Sequence, residues 1–283
     1  MAELLKGKAV AEAINQRSID TVSMLKENGI QPSLAIFRVG NKEDDLSYER
    51  GALKRCGEVG VETIQYIFDE DVSEETFYQK LEEANRNDTI HGILIFRPLP
   101  KRFDDEKLRN SICPEKDVDG CSDLSLAGVF TDKELGFAPC TAQSVVEMLD
   151  HYQIDLKGKN VVVIGRSLVI GKPVSMLLLK RNATVTICHS RSTDLPAIAS
   201  KADILVCAIG KAEMIDHSYV NPNQIIIDVG INWNEEKQKL CGDVNFEDVE
   251  TKVKAISPVP GGIGSITTAV LVSHVVEAAH RKI

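Results

Sequence analysis

The hydrophobic and polar positions of this chain follow two spacings, which predicts that strands and helices alternate along it. Short β-branched apolar segments are typical of buried parallel strands, and apolar positions three or four residues apart are typical of amphipathic helices. The strands predicted in the first half are residues 33–39, 62–68 and 92–96, and the helices are residues 8–28, 46–60 and 74–85, the last one capped by Ser73. This half is therefore expected to form a βαβαβ-like unit.

The second half shows the same alternation over shorter segments. A helix at residues 142–152 leads into strands at 160–165, 183–187, 204–208, 225–229 and 254–256, and a final apolar helix covers 266–282. Alternating strands and helices predict parallel sheets with helices on both faces. We therefore expect an α/β protein of two α/β domains, the second a Rossmann-type parallel sheet, with a cleft between them where substrate and cofactor meet.

Composition narrows the functional classes. The chain has 283 residues, 43% of them hydrophobic, with a net charge of −9 and no block of lysine or arginine, which argues against nucleic-acid and membrane partners. No apolar run is expected to reach membrane-spanning length, and the N-terminus has no signal-peptide core, so we expect a cytoplasmic protein. The seven cysteines form no C-x-x-C pair. They are expected to be free thiols, mostly buried, and the scattered cysteines and histidines predict no metal site.

The segment at residues 160–178 carries the clearest candidate chemistry. A β-branched strand ends at Gly165, and Gly171 opens an apolar helical pattern. A strand, a tight turn and a helix N-terminus together expose backbone N–H groups that favour a dinucleotide pyrophosphate. Ser167 stands where the usual pattern has a glycine, and Gly171 comes one residue late. The alternative interpretation of this segment, an ordinary strand–helix turn whose glycine only allows close packing, therefore remains open.

The end of the next strand distinguishes between the two nicotinamide cofactors. NAD-binding units place an acidic residue there to bind the ribose 2′-hydroxyl. This chain has Ser190 and Arg191 instead and no acid, and Arg166 lies in the glycine turn. Arginine is always charged and binds phosphate in a bidentate manner, so these residues predict NADP.

Several further motifs carry a family resemblance. They are Val39-Gly40 followed by Tyr48, Pro98-Leu99-Pro100, Lys-Asp-Val-Asp-Gly at 116–120, Pro139-Cys140-Thr141, Gly165-Arg166-Ser167, Asp-Val-Gly-Ile-Asn at 228–232 and Pro-Val-Pro-Gly-Gly-Ile-Gly at 258–264. Their order and spacing, over essentially the whole chain, closely resemble the methylenetetrahydrofolate dehydrogenase/cyclohydrolase family. The resemblance implies a folate-binding catalytic domain (1–140 plus 267–283), a Rossmann-type NADP-binding domain (141–266) and a homodimer.

The resemblance also implies an activity and a set of site residues. The family oxidises 5,10-methylenetetrahydrofolate to the methenyl form, and most members then hydrolyse that product to 10-formyltetrahydrofolate. Tyr48 matches the tyrosine that packs on the folate ring, and Asp119 matches the aspartate that binds the pterin. The other implied substrate contacts are Pro260, Gly261 and Gly262, and the implied cofactor contacts are Gly165, Arg166, Ser167, Gly171, Ser190, Arg191 and Ile231.

The departures from the family pattern concern the catalytic half. The position of the family's catalytic lysine is Ala52, and that of its glutamine is Phe96. The other replaced positions are Asp45 for a serine, Arg97 for a leucine and Ser265 for a proline. Hydride removal leaves a cation stabilised by two nitrogens and needs no base, whereas hydrolysis of that cation does. Alanine and phenylalanine do not titrate, so cyclohydrolase activity is doubtful.

Three hypotheses follow. The first is an NADP-dependent methylenetetrahydrofolate dehydrogenase of one-carbon metabolism, acting on tetrahydrofolate derivatives with reduced cyclohydrolase ability. The second is a catalytically impaired folate- and NADP-binding paralogue, which Ala52 and Phe96 favour. The third is a related enzyme with an altered substrate, in which Asp45, Phe96 and Arg97 reshape the pocket.

Overall fold

The computed structural model describes all 283 residues as alternating helices and strands. Up to residue 131 the elements are β1 (Glu3–Leu4), α1 (Gly7–Glu27), β2 (Ser33–Val39), α2 (Glu43–Val59), β3 (Glu62–Phe68), α3 (Glu74–Arg86), β4 (Gly92–Ile95), α4 (Asp105–Asn110) and α5 (Asp123–Thr131). The remaining elements are α6 (Cys140–His151), β5 (Asn160–Ile164), α7 (Gly171–Lys180), β6 (Thr184–Cys188), α8 (Leu195–Ala199), β7 (Ile204–Cys207), β8 (Ile225–Asp228), β9 (Asn232–Asn234), β10 (Lys239–Cys241), α9 (Phe246–Val249), β11 (Ala255–Ile256) and α10 (Thr267–His280).

The chain forms two compact units. One contains Met1–Glu12 and Thr141–Thr267, and the other contains Ala13–Cys140 and Thr268–Ile283. We call them the sheet-of-six unit and the sheet-of-three unit. The first twelve residues belong to the sheet-of-six unit, because β1 pairs with β11 of that sheet. The domain ranges expected from the sequence place these residues in the other domain. A strand of two residues is too short to show a periodic pattern.

The sheet-of-six unit has a parallel sheet in the order β1-β11-β8-β7-β5-β6. Strand β7 is buried along its whole length, as expected for a parallel strand covered on both faces. The five strands predicted in this half are all present within one or two residues of their expected ends. The hairpin of β9 and β10 was not predicted, because its strands are three residues long and largely exposed.

The sheet-of-three unit has the parallel order β3-β2-β4. The central strand β2 is completely buried, and its Phe37 ring stacks on Tyr66 with centroids 4.4 Å apart. Helix α2 begins at Glu43, three residues earlier than predicted, because three acidic residues in its first turn favour a helix N-terminus. The predicted cap of α3 is confirmed, since Ser73 Oγ accepts the Thr76 N–H at 3.1 Å.

Two expectations from composition can be compared with the structure. All seven cysteines are free and five are buried, as predicted. The expectation that no apolar run reaches membrane-spanning length is wrong, because Ile263–His280 is long and apolar enough by composition. That segment is 67% buried within the protein, which is what a core helix of a soluble protein also shows.

The lysine of the 116–120 motif closes the C-terminal end of α3. Lys116 is 6% exposed, and its Nζ donates to the carbonyl oxygens of Ala84, Asn85 and Asn87 at 3.0, 2.7 and 2.7 Å. The last carbonyl groups of a helix have no hydrogen-bond donor within the helix, and the Lys116 ammonium group supplies these donors.

We expect Lys116→Met to lower the free energy of unfolding by about 2 kcal/mol, because it leaves buried carbonyls without donors. The exposed Lys101→Met serves as the control and should change stability by less than about 0.5 kcal/mol. Urea unfolding followed by circular dichroism measures both variants. Equal stability of the two variants would show that the Lys116 hydrogen bonds add nothing.

Candidate active site

The turn after β5 requires both of its glycines. Gly165 has a φ of +139°, and a Cβ on it would lie 2.2 Å from the Ala208 carbonyl oxygen. A Cβ on Gly171 would lie 2.2 Å from the Gly165 carbonyl oxygen. No side chain fits at either position, so the strand, the turn and α7 pack as closely as a dinucleotide-binding turn needs.

Ser167 has a local role that accounts for its departure from the usual glycine pattern. Its Oγ accepts the N–H groups of Ile170 at 3.1 Å and Gly171 at 3.5 Å, and its carbonyl accepts the Lys172 N–H at 3.0 Å. The serine therefore supplies hydrogen-bond acceptors at the entry to α7, where N–H groups have no partner within the helix.

The side chains predicted to bind the 2′-phosphate emerge at one edge of the sheet. Strands β5 and β6 are parallel neighbours, and Arg166 follows the first while Ser190 and Arg191 follow the second. All three side chains are exposed. The turn that carries Arg191 is held locally, because His189 Nδ1 accepts the Arg191 N–H at 3.2 Å. Two guanidinium groups and a hydroxyl at this edge suit an exposed phosphate.

Two buried carboxylates at this edge were not among the predicted site residues. Asp243 is 0% exposed and accepts the N–H groups of Ile209, Gly210 and Lys211 and the side-chain amide of Asn232, at 2.6–3.2 Å. Asp228 accepts the N–H groups of Gly230, Asp243 and Val244 at 2.9–3.1 Å. Burial raises the pKa of Asp228 to about 7, although the hydrogen bonds from these N–H groups act to lower it. Asp228 opens the family motif at residues 228–232, and the preceding Gly242 is the signal that the sequence offers for Asp243.

A pocket in the same unit brings two sets of predicted contacts together. It has a volume of about 260 Å³. Its lining residues are Asp228, Val229, Gly230, Ile231, Leu240, Pro258, Val259, Pro260, Gly261, Gly262, Ile263, Gly264 and Ser265. Ile231, the predicted cofactor contact, therefore lies with Pro260, Gly261 and Gly262, the predicted substrate contacts.

The glycine pair in that pocket is tied to the start of the chain. The Gly7 N–H donates to the Gly261 carbonyl at 2.8 Å, and a Cβ on Gly7 would lie 2.1 Å from the Gly262 carbonyl oxygen. Gly261 has a φ of +101°, which disfavours any other residue. The backbone of the pair is thus fixed, with Gly261 exposed and Gly262 buried.

In the sheet-of-three unit, Tyr48 on α2 packs against one of the replaced positions. Its ring meets that of Phe96, at the end of β4, edge to face, with centroids 5.9 Å apart and planes at 80°. Such a pair holds the orientation of the Tyr48 ring. Burial, and then the nearby Asp119 and Cys140, raise the pKa of Tyr48 well above its ordinary value, so the phenol stays protonated.

Position 52 lies one helical turn after Tyr48 and is closed to solvent. Ala52 is 0% exposed on the buried face of α2. The Lys54 side chain is directed to solvent: it is 79% exposed, and its Nζ pairs with Glu58 at 3.8 Å. Lys54 therefore does not replace a titratable group at position 52.

The two aspartates of the 116–120 motif have different environments. Asp117 is fully buried, and its oxygens accept the N–H groups of Cys121 and Ser122 and the hydroxyl of Ser125, at 2.6–3.0 Å. Gly120 has a φ of +68°, and a Cβ there would lie 2.5 Å from backbone atoms of residues 137–139. Asp117 and Gly120 thus shape the turn that presents Asp119.

Asp119 has few donors and an altered acidity. Its half-buried side chain accepts a hydrogen bond from the Cys140 thiol. Loss of hydration, and then the charge of Asp117, raise the pKa of Asp119 to about 6, while Arg97 and Cys140 act to lower it. The structure thus brings Asp119 and Tyr48, 71 residues apart in sequence, close enough for the charge of Asp119 to act on the Tyr48 phenol.

The remaining replaced positions differ in their relation to this cluster. The Arg97 side chain is 19% exposed and pairs with Asp105 at 3.2 Å, within electrostatic range of Asp119. Asp45 lies in the first turn of α2, where burial raises its pKa and Lys42 lowers it.

Comparisons with known proteins identify the family. The model of the tetrahydrofolate dehydrogenase/cyclohydrolase catalytic domain matches residues 5–119, and that of the NAD(P)-binding domain of the same family matches residues 139–283. The chain belongs to the tetrahydrofolate dehydrogenase/cyclohydrolase family. The bifunctional protein FolD of Clostridium botulinum is 50% identical to it over 281 residues, 99% of each chain.

Solved structures agree with this assignment. The FolD methylenetetrahydrofolate dehydrogenase/cyclohydrolase of Campylobacter jejuni superposes with a TM-score of 0.96 at 35% identity, covering 100% of both chains. The FolD enzyme of Trypanosoma brucei, solved with NADP cofactor and an inhibitor, has a TM-score of 0.92 at 29% identity, covering 99% and 98% of the chains. The predicted family and the predicted class of two α/β domains, one of them Rossmann-type, are confirmed.

For this family member we expect Arg191→Ala to weaken NADP binding and leave NAD binding unchanged. Loss of a charged hydrogen bond costs roughly 1.5–3 kcal/mol, which is about ten- to a hundredfold in affinity. Calorimetric titration with both cofactors measures this, with the exposed Lys201→Ala as the control. An equal loss for both cofactors would place Arg191 away from the 2′-phosphate.

We expect Asp119→Asn to weaken folate binding by about ten- to a hundredfold near neutral pH, because a charged acceptor is lost. NADP binding should not change, since its predicted contacts belong to the other unit. Separate binding isotherms for a stable folate, 5-formyltetrahydrofolate, and for NADP measure the two effects. A parallel loss of both would mean that Asp119 holds the fold and not the ligand.

Proposed function

We propose that this chain is an NADP-dependent methylenetetrahydrofolate dehydrogenase of one-carbon metabolism. It oxidises 5,10-methylenetetrahydrofolate to 5,10-methenyltetrahydrofolate. Family membership over the whole chain supports this activity. The observation that supports the assignment to residues is that the Tyr48 ring lies within electrostatic range of the Asp119 carboxylate, for which the fold supplies few hydrogen-bond donors.

The proposed roles follow from the chemistry of these two groups. The Tyr48 ring packs on the flat pterin, and its contact with Phe96 sets the orientation of that surface. The Asp119 carboxylate accepts two N–H groups of the aminopyrimidine. Oxidation leaves a cation that the two flanking nitrogens of the substrate stabilise, so the protein needs only to hold the reacting rings in place.

The cofactor contacts are proposed from the other unit. Gly165, Ser167 and Gly171 admit the pyrophosphate at the entry to α7, and Arg166, Ser190 and Arg191 bind the 2′-phosphate. Ile231 lines the pocket that also contains Pro260, Gly261 and Gly262. When bound, NADP supplies the acceptor for the hydride.

We propose that hydrolysis of the methenyl product is weak in this chain. Ring opening needs a base for water and then a proton for the leaving nitrogen. The side chains at positions 52 and 96 cannot titrate, and Lys54 is directed to solvent on another side of α2. The chain then releases mainly the methenyl form.

Two alternatives each have one observation in their favour. Complete burial of Ala52 favours a catalytically impaired paralogue that binds folate and NADP. The charge of Arg97 near Asp119 favours a related enzyme with an altered substrate. Binding of both ligands without turnover would support the first alternative, and no affinity for folates would support the second.

Assembly and location are proposed on the same basis. We propose a cytoplasmic homodimer without nucleic-acid or membrane partners. Strand β3 lies at an edge of its sheet, and Ile67 on it is 54% exposed, which suits a contact between copies. Light scattering during size-exclusion chromatography tests this, and a monomer at micromolar concentration would contradict it.

The dehydrogenase proposal predicts that NADPH forms only when both NADP and 5,10-methylenetetrahydrofolate are present. Tyr48→Phe should keep its KM for the folate, because the aromatic face remains. Tyr48→Leu should raise that KM by about three- to tenfold, from the loss of roughly 0.5–1.5 kcal/mol of ring contact. Initial rates of NADPH absorbance measure these values. No NADPH from the unmodified protein, with intact binding of both ligands, would contradict the proposal.

We expect the double variant Ala52→Lys/Phe96→Gln to gain cyclohydrolase activity. A positioned acid–base group gives a factor of about 10²–10⁴, and the pair should recover part of it. Burial at position 52 lowers the pKa of a lysine toward the range useful for a base. Each single variant should gain less cyclohydrolase activity. The lysine needs a polar neighbour to adjust its pKa, and the glutamine alone has no titratable partner whose pKa it could adjust.

The measurement is the loss of methenyl absorbance with enzyme, compared with a buffer blank. Asp45→Ser added to the double variant tests the influence of Asp45, two helical turns before position 52, because pairing of its carboxylate with the new lysine would raise the pKa of that lysine and reduce the gain. Hydrolysis by the unmodified protein far above the blank would show that another group performs this step.

A further inference from the structure

A histidine of the last helix reaches the turn that presents Asp119. His274 on α10 is 7% exposed, and its Nδ1 lies 2.9 Å from the Val118 carbonyl oxygen. A carbonyl oxygen can only accept a hydrogen bond, so Nδ1 carries a proton and donates it. The two residues are 156 positions apart in sequence. Only the packed fold therefore brings this donor to the peptide group that precedes Asp119.

Cys140, the first residue of α6, binds the same segment. Its N–H donates to the Asp119 carbonyl at 3.3 Å, and its thiol donates to the Val118 carbonyl at 3.2 Å. A thiol is a weak donor, so His274 supplies the stronger hydrogen bond to the Val118 carbonyl. The peptide groups before and after Asp119 are therefore both held by residues that are distant in sequence.

Packing holds the His274 ring in the orientation that its hydrogen bond needs. The ring lies against Phe137, with centroids 4.9 Å apart and planes at 31°, and the Arg281 guanidinium lies 4.3 Å from the centroid of Phe137. The Val118 side chain is completely buried, and a Cβ on Gly92 of β4 would lie 2.8 Å from it. The donor and the acceptor are thus each fixed by neighbours of their own.

We propose that His274 is a positioning residue for the folate, because its hydrogen bond fixes the peptide group before Asp119 and so holds the carboxylate that accepts the aminopyrimidine N–H groups. This inference rests on the proposed function. Two hydrogen bonds to one carboxylate require that group to stay within about 0.5 Å of one place. Asp117 secures backbone N–H groups that follow the turn, whereas the carbonyl before Asp119 has His274 and Cys140 as its donors.

The test is the affinity of the full chain for 5-formyltetrahydrofolate, a stable folate with the same aminopyrimidine. His274→Leu should lower this affinity about tenfold, because a peptide group without its donor lets the carboxylate leave its place. In His274→Asn the side-chain amide can donate from nearly the position of Nδ1, so the affinity should stay within about threefold of the unmodified value. NADP affinity should change in neither variant, because the proposed cofactor contacts belong to the other unit.

Val272→Ala is the matched control. Val272 is completely buried on the same helix, and a spacing of two residues turns its side chain by about 200° from that of His274. Its truncation should lower stability through a cavity and leave folate affinity unchanged. Urea unfolding followed by circular dichroism verifies that each variant is folded. Should His274→Leu fail this check, His274→Phe keeps the ring contact with Phe137 and also lacks the donor.

A double-mutant cycle with Asp119→Ala shows whether His274 acts through the carboxylate. In that background His274→Leu should lower folate affinity by less than about twofold, because the group that it positions has already been removed. A purely structural effect of His274 on the folate pocket would instead give the same tenfold loss with and without the carboxylate.

The outcomes separate this inference from the proposed function. No folate binding by the unmodified protein would overturn the function and the inference together. Folate binding that His274→Leu and His274→Phe both leave unchanged would overturn the inference alone. Additive losses in the double-mutant cycle, or an equal loss of folate affinity in Val272→Ala, would also overturn it, because His274 would then act through the stability of the unit.

Discussion

A carboxylate that loses its water must find other donors, and this requirement organises both units of the protein. Asp243 and Asp228 take up backbone N–H groups after β7 and β8 and so fix the loops at that edge of the sheet. Asp117 does the same for the turn before α5. Asp119 has a thiol and the charge of Arg97 in place of backbone donors, which supports its proposed role in binding a ligand.

The regular elements could be predicted because their apolar spacing is strong. The buried strands β2 and β7 and the long helices α1 and α10 lie within about two residues of their predicted positions. Strand β1 and the β9–β10 hairpin were missed, because two or three residues show no period. β1 matters most among these, since its pairing with β11 moves the first twelve residues into the other unit.

The candidate site could be predicted by residue type but not by environment. The glycine turn, Arg166 and Arg191 could be proposed from local sequence, because they follow β5 and β6, which are consecutive in the chain and adjacent in the sheet. The contact of Tyr48 with Phe96 and the influence of Arg97 on Asp119 depend on how α2, β4 and the 116–120 turn pack. Burial of Ala52 likewise comes from the packed face of α2.

The central claim is that the chain keeps the groups proposed to bind folate and NADP but has no titratable group at position 52. One time course with NADP and 5,10-methylenetetrahydrofolate, recording NADPH and the methenyl product together, tests it most directly. The account predicts that the two products rise in equal amounts and that the methenyl form then decays at the buffer rate. NADPH formation without accumulation of the methenyl form would contradict the account.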